Sequence, residues 1–169
     1  MGVAGSSATQ LNSPTEIYVD ESSNLYVGDD FNSRVMLWRN NSATGVIVAG
    51  TGVYSNTAST ISYTAGLAVD SQKNIYVSDQ NNHRVMKWAQ NATYGILIAG
   101  TGIGGSGNQQ LYVPYGLYLD ELNSYLYIAD TYNHRIQRYY LGVTINVTTV
   151  AGGNGPGFGD NQLNYPCAV

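Results

Sequence analysis

Apolar residues in this chain come in short runs separated by clusters of Gly, Asn, Asp and Ser, and the runs recur in sets of four. The first set is Ile17 to Val19, Leu25 to Val27, Val35 to Trp38 and Val46 to Ala49. The second is Leu67 to Val69, Ile75 to Val77, Val85 to Trp88 and Ile96 to Ala99, and the third is Leu117 to Leu119, Leu126 to Ile128, Ile136 to Tyr139 and Val147 to Ala151. No segment keeps a 3.6-residue period over the about 10 to 12 residues a helix needs between breakers. The pattern therefore predicts strands and essentially no helix. In each set the first two runs are apolar almost continuously instead of alternating, which suits strands covered on both faces.

The sets follow a fixed period. Asp20, Asp70 and Asp120 stand 50 residues apart, and Asp29, Asp79 and Asp130, like Arg34, Arg84 and Arg135, follow at steps of 50 and 51. Each copy opens on an aliphatic residue and a turn, as in Leu11-Asn12-Ser13-Pro14 and Leu111-Tyr112-Val113-Pro114; the copy at Ile61 has Thr64 in place of the proline. Four-stranded units repeating at this length predict an all-β chain of β-propeller blades, with an all-β solenoid as the weaker alternative. The expected organisation is the end of one blade at 1–9, blades at 10–59, 60–110 and 111–162, and the start of a further blade at 163–169. Propellers close with about 4 to 8 blades. Three blades leave open edges, so self-association through them is expected, and the chain reads as a fragment of a longer array in preference to a self-assembling half-ring.

Tyr127-Ile128-Ala129-Asp130-Thr131-Tyr132-Asn133-His134-Arg135-Ile136-Gln137 resembles the central signature of the NHL repeat, and Tyr76-Val77-Ser78-Asp79-Gln80-Asn81-Asn82-His83-Arg84-Val85 is similar to it. The first copy, Tyr26 to Val35, has Ser33 where the signature has His, and the Val-Ala-Gly or Ile-Ala-Gly ends of the copies fit the same family. The resemblance implies a propeller, often six-bladed. It leaves function open among scaffolds, RNA binders and enzymes such as metal-dependent lactonase-like hydrolases or amidating-lyase-like lyases.

Residues copied into every blade spread around a ring and cannot converge on one ligand. Asp29, Asp79 and Asp130, Asn32, Asn82 and Asn133, and Arg34, Arg84 and Arg135 are therefore assigned to building the blades. Each Asp accepts loop N–H groups at a strand end, each Asn takes the left-handed backbone of a tight turn, and each Arg pairs with its own or a neighbouring Asp. His83 and His134 are read as packing the turn. Contact residues are sought where the copies disagree: Asp30-Phe31, Gln80-Asn81 and Thr131-Tyr132 in the turn, and Glu16 and Tyr115 at the start of the first strand. By the resemblance these positions line one propeller face and the channel mouth, with Glu16 standing where the family usually has Gly. Tyr26, Tyr76 and Tyr127 are expected in the core, and Tyr54 and Tyr63 among the contact residues.

Composition narrows the partners. Charged residues make up 11% of the 169, with 7 Lys plus Arg against 11 Asp plus Glu and a net charge of −4, which disfavours nucleic acid. No run of about 18 apolar residues predicts a membrane span, and Met1 to Gln10 lacks the pattern of a signal peptide. The lone Cys167 is expected to be a buried thiol or a partner for sequence elsewhere. Asn40-Asn41-Ser42, Asn91-Ala92-Thr93 and Asn146-Val147-Thr148 are N-glycosylation sequons, all between third and fourth runs, which suggests an extracellular or ectodomain setting. No metal or cofactor is implied, since Glu16 alone is a channel carboxylate. The expected function is non-enzymatic binding of a protein, peptide or glycan.

Overall fold

The structure is a computed structural model describing residues 3–144 and 146–169; Met1 and Gly2 of the expected 1–9 blade edge, and Ile145, lie outside the described residues. Twelve strands form three sheets: β1 (Pro14–Val19), β2 (Leu25–Asp29), β3 (Arg34–Trp38) and β4 (Val46–Gly50); β5 (Thr64–Val69), β6 (Ile75–Asp79), β7 (Arg84–Trp88) and β8 (Ile96–Gly100); β9 (Pro114–Asp120), β10 (Tyr125–Asp130), β11 (Arg135–Tyr140) and β12 (Val147–Gly152). Each sheet is an antiparallel meander in sequence order. The helical content described is one 3-10 turn per blade between second and third strands, at Asp30–Asn32, Gln80–Asn82 and Thr131–Asn133. Each first strand starts three residues before the apolar run that announces it, and its pairing with the second is interrupted by a bulge, as between Pro14 and Ile17.

Strand alternation sends the two sides of the middle blade into different cores. Leu67, Val69, Ile75, Val77, Met86 and Trp88 pack toward the first blade with Tyr26, Val35, Leu37 and Ala49. Ala68, Tyr76, Val85 and Ala99 pack toward the third with Leu126, Ile128 and Tyr139. Every residue of β5 is buried, whereas Ile17 and Val19 of β1 are 61% and 56% exposed and Tyr118 of β9 is 56% exposed. The apolar first strands thus behave as expected only where a blade stands on both sides. For the same reason Tyr26 and Tyr76 are core residues, but Tyr127, expected with them, is only half-buried.

Neither expected blade edge forms a strand: Val3-Ala4-Gly5 and Cys167-Ala168-Val169 have no strand partner among the described residues. Gly116 N–H does donate to the Cys167 carbonyl at 3.1 Å, so the end of the chain lies beside β9. Cys167 itself is exposed, not buried, since no described residue covers it.

Pairing of Pro14 with Asp29, Asp29 with Arg34 and Arg34 with Gly50 gathers the start of the first strand, the 3-10 turn and the end of the fourth strand at one end of each blade. The opposite end carries the Asp20, Asp70 and Asp120 turns and the connections that hold the exposed Asn40, Asn91 and Asn146.

Candidate binding face

The repeated carboxylates organise the turn end. Asp29, Asp79 and Asp130 are fully buried. One oxygen of each accepts the backbone N–H just before its first strand, from Asn12 at 2.6 Å, Ser62 at 2.7 Å and Tyr112 at 2.7 Å. The other accepts the Nε–H of Arg34, Arg84 or Arg135 at 2.7, 2.8 and 2.7 Å, so each Arg pairs with the Asp of its own blade. The far ends of the guanidinium groups donate to carbonyls of the incoming linker: Ser6, Ser7 and Gln10 for Arg34, Thr57 and Thr60 for Arg84, and Ser106, Gly107 and Gln110 for Arg135. A short linker with no strand or helix of its own has these backbone acceptors satisfied this way.

The repeated asparagines complete this arrangement by a route the sequence reading did not foresee. Asn32, Asn82 and Asn133 donate from Nδ2 to the Asp and to a linker carbonyl, those of Gly5, Ser55 and Gly105. The left-handed backbone falls one residue later, on Ser33, His83 and His134, at φ of 50°, 51° and 53°. Those same residues strap each blade to the next. Ser33 Oγ donates to Ser62 O at 2.7 Å, His83 Nδ1 accepts Val113 N–H at 3.2 Å, and His134 Nδ1 accepts Tyr165 N–H at 3.1 Å. Burial lowers the pKa of His83, in keeping with a neutral ring that accepts at Nδ1.

The non-repeating positions divide by exposure. Thr131 is buried with its hydroxyl donating to Pro166 O at 2.8 Å, so it belongs to the seam between blades and not to a contact surface. Asp30, at the equivalent position, is half-buried against β5: burial, with the charge of Asp29 adding to it and the Thr64 N–H opposing, pushes its carboxyl up to about 6. Gln80 is half-buried in the same place, and Tyr115 is half-buried beside Ser78, whose Oγ donates to the Tyr115 carbonyl at 2.6 Å. Glu16 is exposed on β1 at the position held by Gly66 and Gly116. At Gly66 a Cβ would collide with the Tyr115 carbonyl of the next blade, which explains the glycine.

Phe31, Asn81 and Tyr132 are exposed, and they lie in or beside two groups of aromatic rings at the turn end. Phe31 stands 5.8 Å from Tyr63 and Tyr63 stands 5.5 Å from Tyr54, ring to ring, with Asn81 Nδ2 donating to the Tyr54 hydroxyl. Across the next blade His83, Tyr112, Tyr132 and Tyr165 follow at 5.3, 5.4 and 5.3 Å, and His134 closes the series 4.4 Å from Tyr165. Tyr112 and Tyr165 escaped the sequence reading because they lie in the opening turn of a copy. The signal that finds them is their place beside the repeated Pro114 and Pro166. The ion-paired arginines of this end are held inward, while Arg39 and Lys73 lie at the other end of the blades. No group of three or more metal-ligating side chains occurs among the described residues, and none of their helices is long and apolar enough to cross a membrane.

Residues 64–88 match the family model described as the NHL repeat. No curated protein matches the sequence significantly. Among solved structures, the chain is similar to a structural genomics protein of unknown function from Bacteroides thetaiotaomicron, with TM-score 0.64, 19% identity, and 75% of this chain against 34% of that one. An auxiliary nutrient binding protein from the same organism matches with TM-score 0.63 and 15% identity over 88% of this chain and 40% of that one. A streptogramin B lyase matches with TM-score 0.59 and 14% identity over 99% of this chain and 46% of that one. The chain therefore spans less than half of the length of each of these structures. With its three antiparallel four-stranded sheets, the protein is a run of β-propeller blades whose middle blade matches the NHL-repeat model.

Proposed function

We propose that the chain is a non-enzymatic binding module that engages a protein, peptide or glycan through the aromatic turn end. The observation that carries this reading is a pair of aromatic groups, Phe31 with Tyr63 and Tyr54, and Tyr112 with Tyr132 and Tyr165, which together draw on all three blades and are mostly exposed although their residues differ from copy to copy. Aromatic rings with a polar tip give large contact area at low entropic cost. Among the described residues no unpaired Lys or Arg borders these rings, which favours an uncharged surface over a phosphate-rich one. Screening the chain on immobilised peptide and glycan arrays tests the proposal. The triple variant Phe31→Ala, Tyr63→Ala, Tyr132→Ala loses the captured partner on this reading, and undiminished capture by the folded variant contradicts it.

The exposed sequon residues Asn40, Asn91 and Asn146 support an extracellular setting. Expression through a secreting eukaryotic host then yields a chain whose mass falls on treatment with a glycan-removing amidase. An unchanged mass argues against that setting.

A further inference from the structure

The same repeat builds two seams, and they differ in the charged groups that face them. Between the second and third blades Lys87 lies over the Tyr76 ring, 5.1 Å from its centre, with its ammonium 3.7 Å from Asp70, and the Tyr76 hydroxyl also donates to Asp70 at 3.4 Å. Between the first and second blades Leu37 stands in the place of Lys87, and Asp20 in the place of Asp70. Leu37 cannot reach or neutralise that carboxylate. Asp20 is instead held by Ser22 N–H, Asn24 through its backbone and side chain, and Lys73 from the next blade at 3.2 Å; burial opposes the charge, but these donors outweigh it and bring the carboxyl down to about 2. Lys73 holds the left-handed position occupied by Ser23 and Ser124 in the other two turns, so this clasp belongs to one seam only.

The consequence is an open groove of about 520 Å³ between the first two blades. Leu37, Val46, Val48, Ile75 and the fully buried Trp88 form an apolar bed. The Tyr26 hydroxyl makes no hydrogen bond with the described residues, and Asp20, Lys73 and Arg39 are the charged groups near it. Arg39 makes no ion pair among the described residues, and Asp20 uses only one of the three ammonium hydrogens of Lys73. Two cations against one carboxylate leave the mouth net positive in a chain of net charge −4.

We propose that this groove is a binding site for a small amphipathic carboxylate, an aliphatic or aromatic acid. Its head group accepts from Tyr26, Lys73 and Arg39, and its apolar body lies on Leu37, Ile75 and Trp88. A volume in the range of about 300 to 1,000 Å³, an apolar lining and a few convergent donors are what small-molecule sites share. The anionic head is set by the charge at the mouth, and the tail by the apolar bed.

The charged mouth of the groove lies at the end opposite the turn end, and although the groove extends to Gly50 and Thr51 it is lined by none of the turn-end aromatic rings, so its test is independent of the module's partner. Decanoate is titrated into the chain by calorimetry, with the Trp88 indole N–H followed by NMR and decanol as the neutral control. The expected result is saturable one-to-one binding of decanoate that perturbs the Trp88 signal, with decanol at least tenfold weaker. Arg39→Ala is expected to weaken decanoate about fivefold, which is about 1 kcal/mol. Leu37→Lys, which installs the residue the next blade uses, is expected to abolish binding with an unchanged circular dichroism spectrum. Absence of saturation up to about 1 mM, decanol binding as tightly as decanoate, or unaltered binding in the folded Leu37→Lys chain overturns the proposal. Should Leu37→Lys unfold, the Arg39→Ala and decanol comparisons decide it alone.

Discussion

The root and the tip of each turn between second and third strands lie within a few residues of each other and obey opposite rules. At the root, Asp79, Asn82 and Arg84 are invariant among the three copies, sit in or near the buried layer, and spend their hydrogen-bonding capacity on the linker backbone. At the tip, Phe31, Asn81 and Tyr132 differ from blade to blade and face outward. Repetition within a chain therefore separates what a blade needs from what is free to vary. A charged motif recurring in every copy is a fastening, and the exposed positions between its members are where a surface is written.

The largest effect that sharpens this contrast is expected at the root. Asp79→Ala leaves the Ser62 N–H and Asn82 amide without their acceptor and strips Arg84 of its counter-charge, which costs about 3 to 5 kcal/mol. Thermal unfolding reads this as a drop of many degrees, and a change under about 1 kcal/mol would break the contrast. Arg84→Lys keeps the charge but loses the planar fork that reaches both Asp79 and the Thr57 and Thr60 carbonyls, at about 1 to 2 kcal/mol.

Asp30 sits between root and tip, and its effect is smaller and depends on pH. Its folded carboxyl is pushed up to about 6 from the ordinary aspartate value of 3.8, so the folded chain binds more protons than the unfolded chain between those values. Stability from this group is complete below about 3.8 and is lost as pH rises through about 6. Asp30→Asn removes the unfavourable charge, so it is expected to raise stability by less than about 1 kcal/mol at pH 7.5, after allowance for partial exposure, and to change little at pH 4. His83 acts in the opposite sense. Its lowered pKa means that its contribution, including the bond from Val113 N–H, is present above the ordinary histidine value and declines as pH falls below it. His83→Ala unfolding curves that approach the unsubstituted chain toward pH 5 check that sign.

The strand count, the blade order and the period were legible in the sequence because each unit carries its own apolar runs and turn residues. Other features depended on groups far along the chain. The sequence reading assigned the left-handed backbone to Asn32, Asn82 and Asn133, the usual residue for it, but tertiary hydrogen bonds claim those amides and shift the conformation to Ser33, His83 and His134. Ile17 and Val19 read as doubly covered like Leu67 and Val69, yet cover comes from a neighbouring blade and not from the strand's own residues. Thr131 looked like a tip residue by alignment alone; its bond to Pro166 makes it part of the seam. The groove at the first seam rests on two exchanges, Leu37 for Lys87 and Lys73 for Ser124, whose meaning appears only when the turn of the next blade is brought alongside.

The central claim, that repeated residues build the blades while the varied aromatic tips are left free, is tested most directly by equilibrium unfolding of the double variant Phe31→Ala, Tyr132→Ala beside Asp79→Ala. The account predicts that the double variant keeps its stability to within about 1 kcal/mol, since both rings are largely exposed, while Asp79→Ala loses several times that. A double variant that unfolds as readily as Asp79→Ala would contradict it, making the aromatic array a part of the fold instead of a surface held ready for a partner.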